Sequence, residues 1–316
     1  MPAKLVLTMS ITLFLLFGFL FAILAAVGYY FEISGYLIVA AAGFLVFLQW
    51  LIGPSIIRWT TNMRPLEKNE YQWLWHTVEE ICKKTKTPMP RLALARVGAP
   101  NAFVFGRTPG SATLTVTQGL LNTLTKDEVK AVISHEVGHI KHKDMVVMTI
   151  VSAIPIITYF IARFLIFTPS RSDRKGGGAV LVGIAAFIIY FITNLLVLAL
   201  SRLREYYADD FGGRNFRPKL LASALAKITY GLSMASDKHE NSAVRSFYIS
   251  DPISAGHEIS HFKEEYSDFD LTESELKKAI EWEKKNPWVR FSEIFRTHPL
   301  TFKRIKALQN LEKMSK

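Results

Sequence analysis

Four stretches of this chain are so long and so continuously apolar that they dictate its architecture. They run from about Leu5 to Phe31, Gly35 to Ile57, Met145 to Phe167 and Ala179 to Leu200. Each can cross the roughly 30 Å hydrocarbon core of a bilayer as a helix. In lipid every backbone polar group has to be satisfied within the segment, which leaves helices as the spanning form. A cleaved leader is a poor account of the first stretch, because it is long, lacks a small-residue cleavage site and is followed at once by a second span. Only Glu32 is charged in the first connecting turn, whereas Lys4 precedes the hairpin and Arg58, Arg64 and Lys68 follow it. Both ends of that hairpin are therefore expected on the cytoplasmic side. The link from Thr168 to Gly178, with Arg171, Arg174 and Lys175 against Asp173, runs counter to that tendency.

The spans also explain why half of the 316 residues are hydrophobic. The net charge of +11 is spread over amphipathic helices and span flanks without a recognition motif, so it suits anionic lipid heads and argues against nucleic acid. Cys82 is the single cysteine, which excludes an intrachain disulfide and a multi-cysteine metal site.

Between and after the spans the sequence reads as a soluble domain built from two separate segments. An amphipathic helix is predicted over Pro65–Thr87, with Tyr71, Leu74, Val78 and Ile81 on one face. Short β-prone runs follow at Arg91–Arg96, Ala102–Gly106 and Ala112–Thr117, separated by Pro and Gly turns. Thr125 and Glu128 form a capping-box pattern ahead of a helix with Val129, Val132 and Ile133 inward. The fourth span is expected to continue as a charged helix to Asp210, and Pro218 to open a helix reaching Met234. Residues Asp237–Asp270 read as a polar loop, Thr272–Glu275 as the cap of a helix stopping near Pro287, and His298-Pro299 as the start of the last helix. The expected fold is α+β and mainly helical, an integral membrane protein with four transmembrane helices and a zincin-like catalytic domain holding a small β-sheet. The chain divides into a transmembrane hairpin at 1–58, an N-terminal catalytic segment at 59–144, a second hairpin at 145–200 and a C-terminal catalytic segment at 201–316.

The chemistry is concentrated in His135-Glu136-Val137-Gly138-His139. Histidines four apart on a helix share one face and can reach one metal ion, and Glu136 beside them can take a proton from a water on that ion. A second copy, His257-Glu258-Ile259-Ser260-His261, competes with it. A hydrolytic zinc site needs a third protein ligand. For the first copy the hairpin of spans three and four brings the chain back at Arg204-Glu205-Tyr206-Tyr207-Ala208-Asp209, so Glu205 is the expected third ligand. Asp209, one turn on, would accept the outer N–H of a ligating histidine. The second copy follows Pro252 and Gly256, and reads as polar loop, with Glu264, Glu265, Asp270 and Glu275 as conceivable ligands. His142 reads as a basic residue at the membrane surface.

Taken together, Asn101-Ala102-Phe103, Ser134–His139 before a span, Ser201–Asp209 after the next, and His298-Pro299 with Arg304-Ile305 resemble the HtpX-type membrane metalloproteases over nearly the whole chain. More distantly the pattern is similar to that of the CaaX prenyl proteases. The resemblance implies a zinc endopeptidase with one zinc ion per chain and a cytosolic active site in the cell or inner membrane. It would act on unfolded or misfolded proteins in membrane protein quality control under stress, and partner proteases cannot be read from it. It further implies that Asn101, Ala102 and Phe103 lie on a sheet edge that receives substrate, and that His298 and Arg304 belong to the catalytic surroundings. His298 or Asn101, and less readily Tyr206, could stabilise the oxyanion; equally, His298 could be a helix cap, Asn101 a turn residue, and Ala102 and Phe103 ordinary strand packing. Alternative readings are a prenyl-peptide processing enzyme and an inactive membrane scaffold with structural zinc, the latter having no need of Glu136.

Overall fold

The structure, a computed structural model, describes residues 3–167, 176–235, 281 and 284–314. In chain order the elements are α1 (Ala3–Phe31), α2 (Gly35–Thr60), β1 (Met63–Pro65), α3 (Gln72–Thr85), β2 (Arg91–Ala95), β3 (Ala102–Phe105), β4 (Thr113–Thr117) and α4 (Gln118–Thr123). There follow α5 (Lys126–Lys141), α6 (Asp144–Phe167), α7 (Gly176–Asn215), α8 (Pro218–Ala235), α9 (Pro287–Ser292) and α10 (Thr301–Met314). Residues Met1–Gly53 with Val146–Ser201 make one compact unit, and Pro54–Met145 with Arg202–Lys316 another.

Among the described residues, helices α1, α2, α6 and α7 are the four that are long and apolar enough to cross a membrane. Phe14, Phe21, Leu37 and Phe164 point away from the protein, as side chains solvated by lipid tails do. Inside the first unit Ile23, Ala162 and Ala186 pack together. Gln49 Nε2 donates to Ser152 Oγ at 2.7 Å, a polar link between helices of the kind that lipid surroundings favour. The apolar run of α7 ends at Leu200, and the helix continues unbroken as a charged segment to Asn215, five residues beyond the expected end.

In the second unit four strands form a sheet in the order β1-β2-β4-β3. Strands β2 and β4 are parallel, and both outer pairs are antiparallel. Strand β3 pairs with β4 from Ala102 opposite Val116 to Phe105 opposite Thr113, and it forms an edge of the sheet. Helices α3 and α8 pack against α5, and α10 packs against α8. Their apolar faces meet the sheet in one core that includes Leu74, Val78, Leu114, Val132, Ile133 and Leu225. Each such side chain contributes about 1.5–3 kcal/mol on burial. The Thr125–Glu128 capping box is formed. Glu128 also accepts from Ser223 at 2.7 Å and pairs with Lys227 at 2.8 Å, tying the start of α5 to α8. Burial pushes the Glu128 carboxyl up, but these partners outweigh it and hold it below the usual carboxylate range.

Several boundaries differ from those expected, for local reasons. Helix α3 starts at Gln72, because Met63–Pro65 pairs with Ala93–Ala95 as an extra edge strand. Three residues ending in proline carry too little alternation to announce a strand, yet proline is tolerated at a sheet edge. Arg64 fixes the following turn through two 2.7 Å bonds to Glu70. The last helix begins at Thr301, three residues after His298, which is therefore no helix cap. Pro287 opens a helix where it was expected to end one, with the Asn286 side chain accepting from the Trp288 and Val289 backbone. The Asp237–Asp270 stretch, the Thr272–Glu275 cap and the second His-Glu-x-x-His motif lie outside the described residues.

Candidate metal centre and active site

Helix α5 is buried on the face that carries His135 and Glu136, and His139 follows one turn later. The two Nε2 atoms lie 3.1 Å apart. Each ring is turned by a carboxylate on its other nitrogen: His139 Nδ1 lies 2.6 Å from Asp144 Oδ2, and His135 Nδ1 lies 3.0 Å from Asp209 Oδ1, off the line of a well-formed hydrogen bond. A carboxylate fixes the proton on Nδ1, leaving the Nε2 lone pair free to bind. Two such lone pairs facing one another at this separation repel unless a cation lies between them.

Helix α7 supplies the third group. Glu205 Oε2 is 3.6 Å from His135 Nε2, and Oε1 is 3.5 Å from His139 Nε2. A tetrahedral ion held at about 2.0–2.1 Å sets its ligand atoms about 3.3–3.4 Å apart, so this triangle fits zinc. Glu205 Oε2 is buried and accepts no well-formed hydrogen bond, with the Arg304 guanidinium 3.1 Å away as an ion-pair partner. Glu136 also brings a carboxylate oxygen within 4.8 Å of both imidazoles. Both carboxylates, Glu136 and Glu205, therefore stand against the paired imidazoles. Burial pushes the Glu136 carboxyl up from its ordinary value, against the opposing pull of His139 and His135.

What lets α7 come this close is the absence of side chains at two positions. A Cβ on Gly212 would stand 3.0 Å from the backbone N and Cα of His135, and one on Gly138 would stand 3.0 Å from Phe211 and 3.4 Å from Ala208 Cα. Neither glycine was among the expected site residues, although small residues on two helices that must converge are a recognisable signal.

A second layer surrounds the triangle. Arg304, on α10, donates from Nε and Nη2 to Asp209 at 2.8 Å each, and its Nη1 lies 3.1 Å from Glu205 Oε2. It is buried against these two carboxylates and takes its place in the catalytic surroundings as an ion-pair residue. His298 Nε2 is 3.7 Å from Glu205 Oε1, and its Nδ1 is 2.9 Å from Thr297 Oγ1. Asp144 and Arg204 were not foreseen: Asp144 pairs with Arg204, whose guanidinium also donates to the His142 carbonyl at 2.7 Å. An acid that begins an apolar span, five residues after the second histidine, was the available clue.

Asn101 is buried just ahead of β3, where its backbone N–H donates to Thr117 Oγ1 at 2.8 Å and its carbonyl accepts from the Thr117 N–H at 2.9 Å. Ala102 and Phe103 follow on the edge strand, which packs against α5. His142 is not the charged surface residue expected. Its ring meets Tyr207 at 4.0 Å between centroids, and burial, with Arg204 nearby, pushes its pKa down to about 4.

Residues 68–312 match the model of Peptidase family M48. The chain is 45% identical over 235 residues to "Protease HtpX homolog" of Methanothermobacter thermautotrophicus, covering 73% of this chain and 88% of that one. It is 32% identical over 304 residues to the protein of the same name from Pyrococcus furiosus, covering 94% of each. Among solved structures, the crystal structure of S. mikatae Ste24p is similar in fold, with a TM-score of 0.54 and 17% identity over 97% of this chain and 67% of that chain.

Proposed function

Because the chain belongs to peptidase family M48, and is a membrane-bound, metal-dependent protease with four apolar helices, we propose that it is a zinc endopeptidase whose site is His135, Glu136, His139 and Glu205. The observation that carries this is the spacing of the two Nε2 atoms and the Glu205 carboxylate at 3.1, 3.5 and 3.6 Å. His135, His139 and Glu205 would hold one zinc ion, which when bound supplies Lewis acidity and acidifies a water.

Glu136 accepts the proton of the attacking water and returns it to the leaving amine. Its burial keeps that carboxyl from solvation that would blunt proton transfer in both directions. Asp209 and Asp144 each hold one histidine by its Nδ1 proton, and Arg304 neutralises Asp209 while restraining Glu205. His298, buried beside Glu205, donates to the developing oxyanion; Asn101 serves the same end from the start of β3. Strand β3, the last in the sheet order, would receive an extended substrate by backbone hydrogen bonds, which bind peptides with little regard to side chains. That mode suits unfolded and misfolded membrane proteins, and supports a role in quality control under stress. The cations that flank the first hairpin, Lys4, Arg58, Arg64 and Lys68, support a cytosolic site.

The test is Glu136→Gln in the purified full-length protein. It is expected to keep one zinc per chain by elemental analysis while casein cleavage falls by roughly 10²–10⁴-fold or more. Cleavage at the wild-type rate would remove Glu136 from its role.

A further inference from the structure

Outside the membrane helices, the most conspicuous exposed apolar surface is the row Trp288, Phe291 and Phe295, on α9 and the 3₁₀ turn Glu293–Phe295 that follows it. These side chains are 79%, 56% and 51% exposed, with Ile294 beside them. Their spacing puts them on one side of the segment, and the Phe291 and Phe295 rings lie 6.0 Å apart. Val289 is buried and anchors the segment from beneath. An aqueous surface gains nothing from such a row, and contiguous exposed aromatics mark an interaction face.

The partner is indicated by where the row is held and by its charge. Arg202 donates from Nη1 to the carbonyls of Ile294 at 3.1 Å and Arg296 at 2.7 Å. Arg202 stands two residues past Leu200, where the apolar run of α7 ends, which is about 3 Å along the helix axis. The aromatic row is thus clipped to the part of α7 that directly follows its apolar run in sequence. A groove of about 480 Å³ beside it is lined by Lys284, Arg290, Lys303 and Lys306, with Tyr206 and Phe302. Among the described residues, Glu293 pairs with Lys303 and accepts from the Leu300 N–H at 3.3 Å, and Glu281 lies 3.5 Å from Lys284 and 3.7 Å from Lys285, so five cations, Lys284, Lys285, Arg290, Lys303 and Lys306, stand against two acids. Arg290 adds a positive charge for which the described residues give no ion pair.

From this we infer that residues 287–295 form an interfacial plate that lies in the bilayer surface, Trp288, Phe291 and Phe295 among the upper acyl chains and the basic groove against anionic lipid headgroups. Aromatic side chains settle at that depth because one face is apolar and the ring edge tolerates water, and Lys and Arg nearby add headgroup attraction. The plate ends three residues before His298, so lipid contact would bear on the irregular stretch that carries this histidine to Glu205. The placement of the plate does not rest on the zinc-peptidase reading.

The test uses full-length protein with Cys82→Ser as background, labelled with a fluorophore at Trp288→Cys, Phe291→Cys or, as an aqueous reference, Lys83→Cys. Each is reconstituted in vesicles of phosphatidylcholine with about one quarter phosphatidylglycerol, carrying nitroxides at a shallow acyl position. Positions 288 and 291 are expected to be quenched about threefold or more above position 83, and less so when phosphatidylglycerol is left out. Equal quenching at all three positions would overturn the plate. So would protection of position 288 in detergent together with 288-to-288 cross-linking, which would make a second copy the occupant.

Discussion

The approach of α5 to α7 makes a prediction that touches no ligand. In Gly212→Ala the new methyl meets His135 N and Cα at 3.0 Å and His135 Cβ at 3.3 Å, atoms of a helix backbone that no rotamer change can move. Carbon atoms rest at about 3.5–4.0 Å, so α7 has to withdraw by about 0.5–1 Å. Overpacking of this kind costs about 1–3 kcal/mol, of which helix propensity returns about 1. The larger effect falls on the metal. Glu205 lies two turns earlier on the same helix, with its oxygens 3.5 and 3.6 Å from the imidazoles, and a withdrawal of that size exceeds the roughly 0.2 Å tolerance of a coordination shell. Zinc retention against a chelator series is expected to weaken about 10–100-fold while the thermal midpoint moves by only a few degrees. Gly213→Ala is the control: its methyl meets Leu311 Cδ2 at 2.8 Å and Leu308 Cδ2 at 3.2 Å, the ends of flexible side chains, and zinc retention should stay at the wild-type value. Wild-type retention in Gly212→Ala, or an equal loss in Gly213→Ala, refutes the claim that this helix spacing sets the site.

Two further outcomes follow from the surrounding groups. Asp144→Ala removes the partner of His139 Nδ1 and is expected to weaken zinc retention about 10–100-fold, whereas Asp210→Ala, which loses only the 2.9 Å pair with Arg214, should not; equal retention in both variants would deny Asp144 a positioning role. His142 has a folded pKa of about 4 against about 6.5 unfolded, so its neutral form contributes stability that is complete above pH 6.5 and lost as pH falls towards 4. The shift bounds this at about 3 kcal/mol, and about 1–2 is expected for a half-buried ring. Melts at pH 7.5 and 4.5 should show a smaller acid loss in His142→Phe than in wild type, and equal losses would contradict the assignment.

The sequence disclosed those features that repeat or that need particular residue types in order. Four apolar runs, the Thr125–Glu128 cap and the Pro- and Gly-bounded β-runs all recur as elements in the structure. It did not disclose β1, because three residues cannot display a period and the strand exists only through its pairing with Ala93–Ala95. Nor did it disclose that Arg304, nearly one hundred residues from Asp209, would be the cation buried against it, since the contact depends on α10 packing on α8. Asp144 was hidden for a different reason: at the head of an apolar span an acid reads as a boundary marker, and only the turn between α5 and α6 reveals that its carboxylate faces back to His139.

Charge at the centre connects these hidden residues to the visible motif. Glu136, Asp144, Glu205 and Asp209 are all buried, and the cations buried with them are Arg204 and Arg304. Among the described residues, four carboxyl groups share this region with two guanidinium groups, an excess of acids over cations. Uncompensated buried charge is among the costliest arrangements a fold can hold. A cation at the proposed His135, His139 and Glu205 triangle would offset that excess, at a ligand spacing that fits zinc. The upward push on Glu136 follows from the same balance: it is the carboxyl that neither of the two arginines pairs with in the structure, so burial acts on it with least opposition. On the proposed reading the five-residue motif supplies donors, while the two arginines leave an excess of carboxylates that a bound cation would offset.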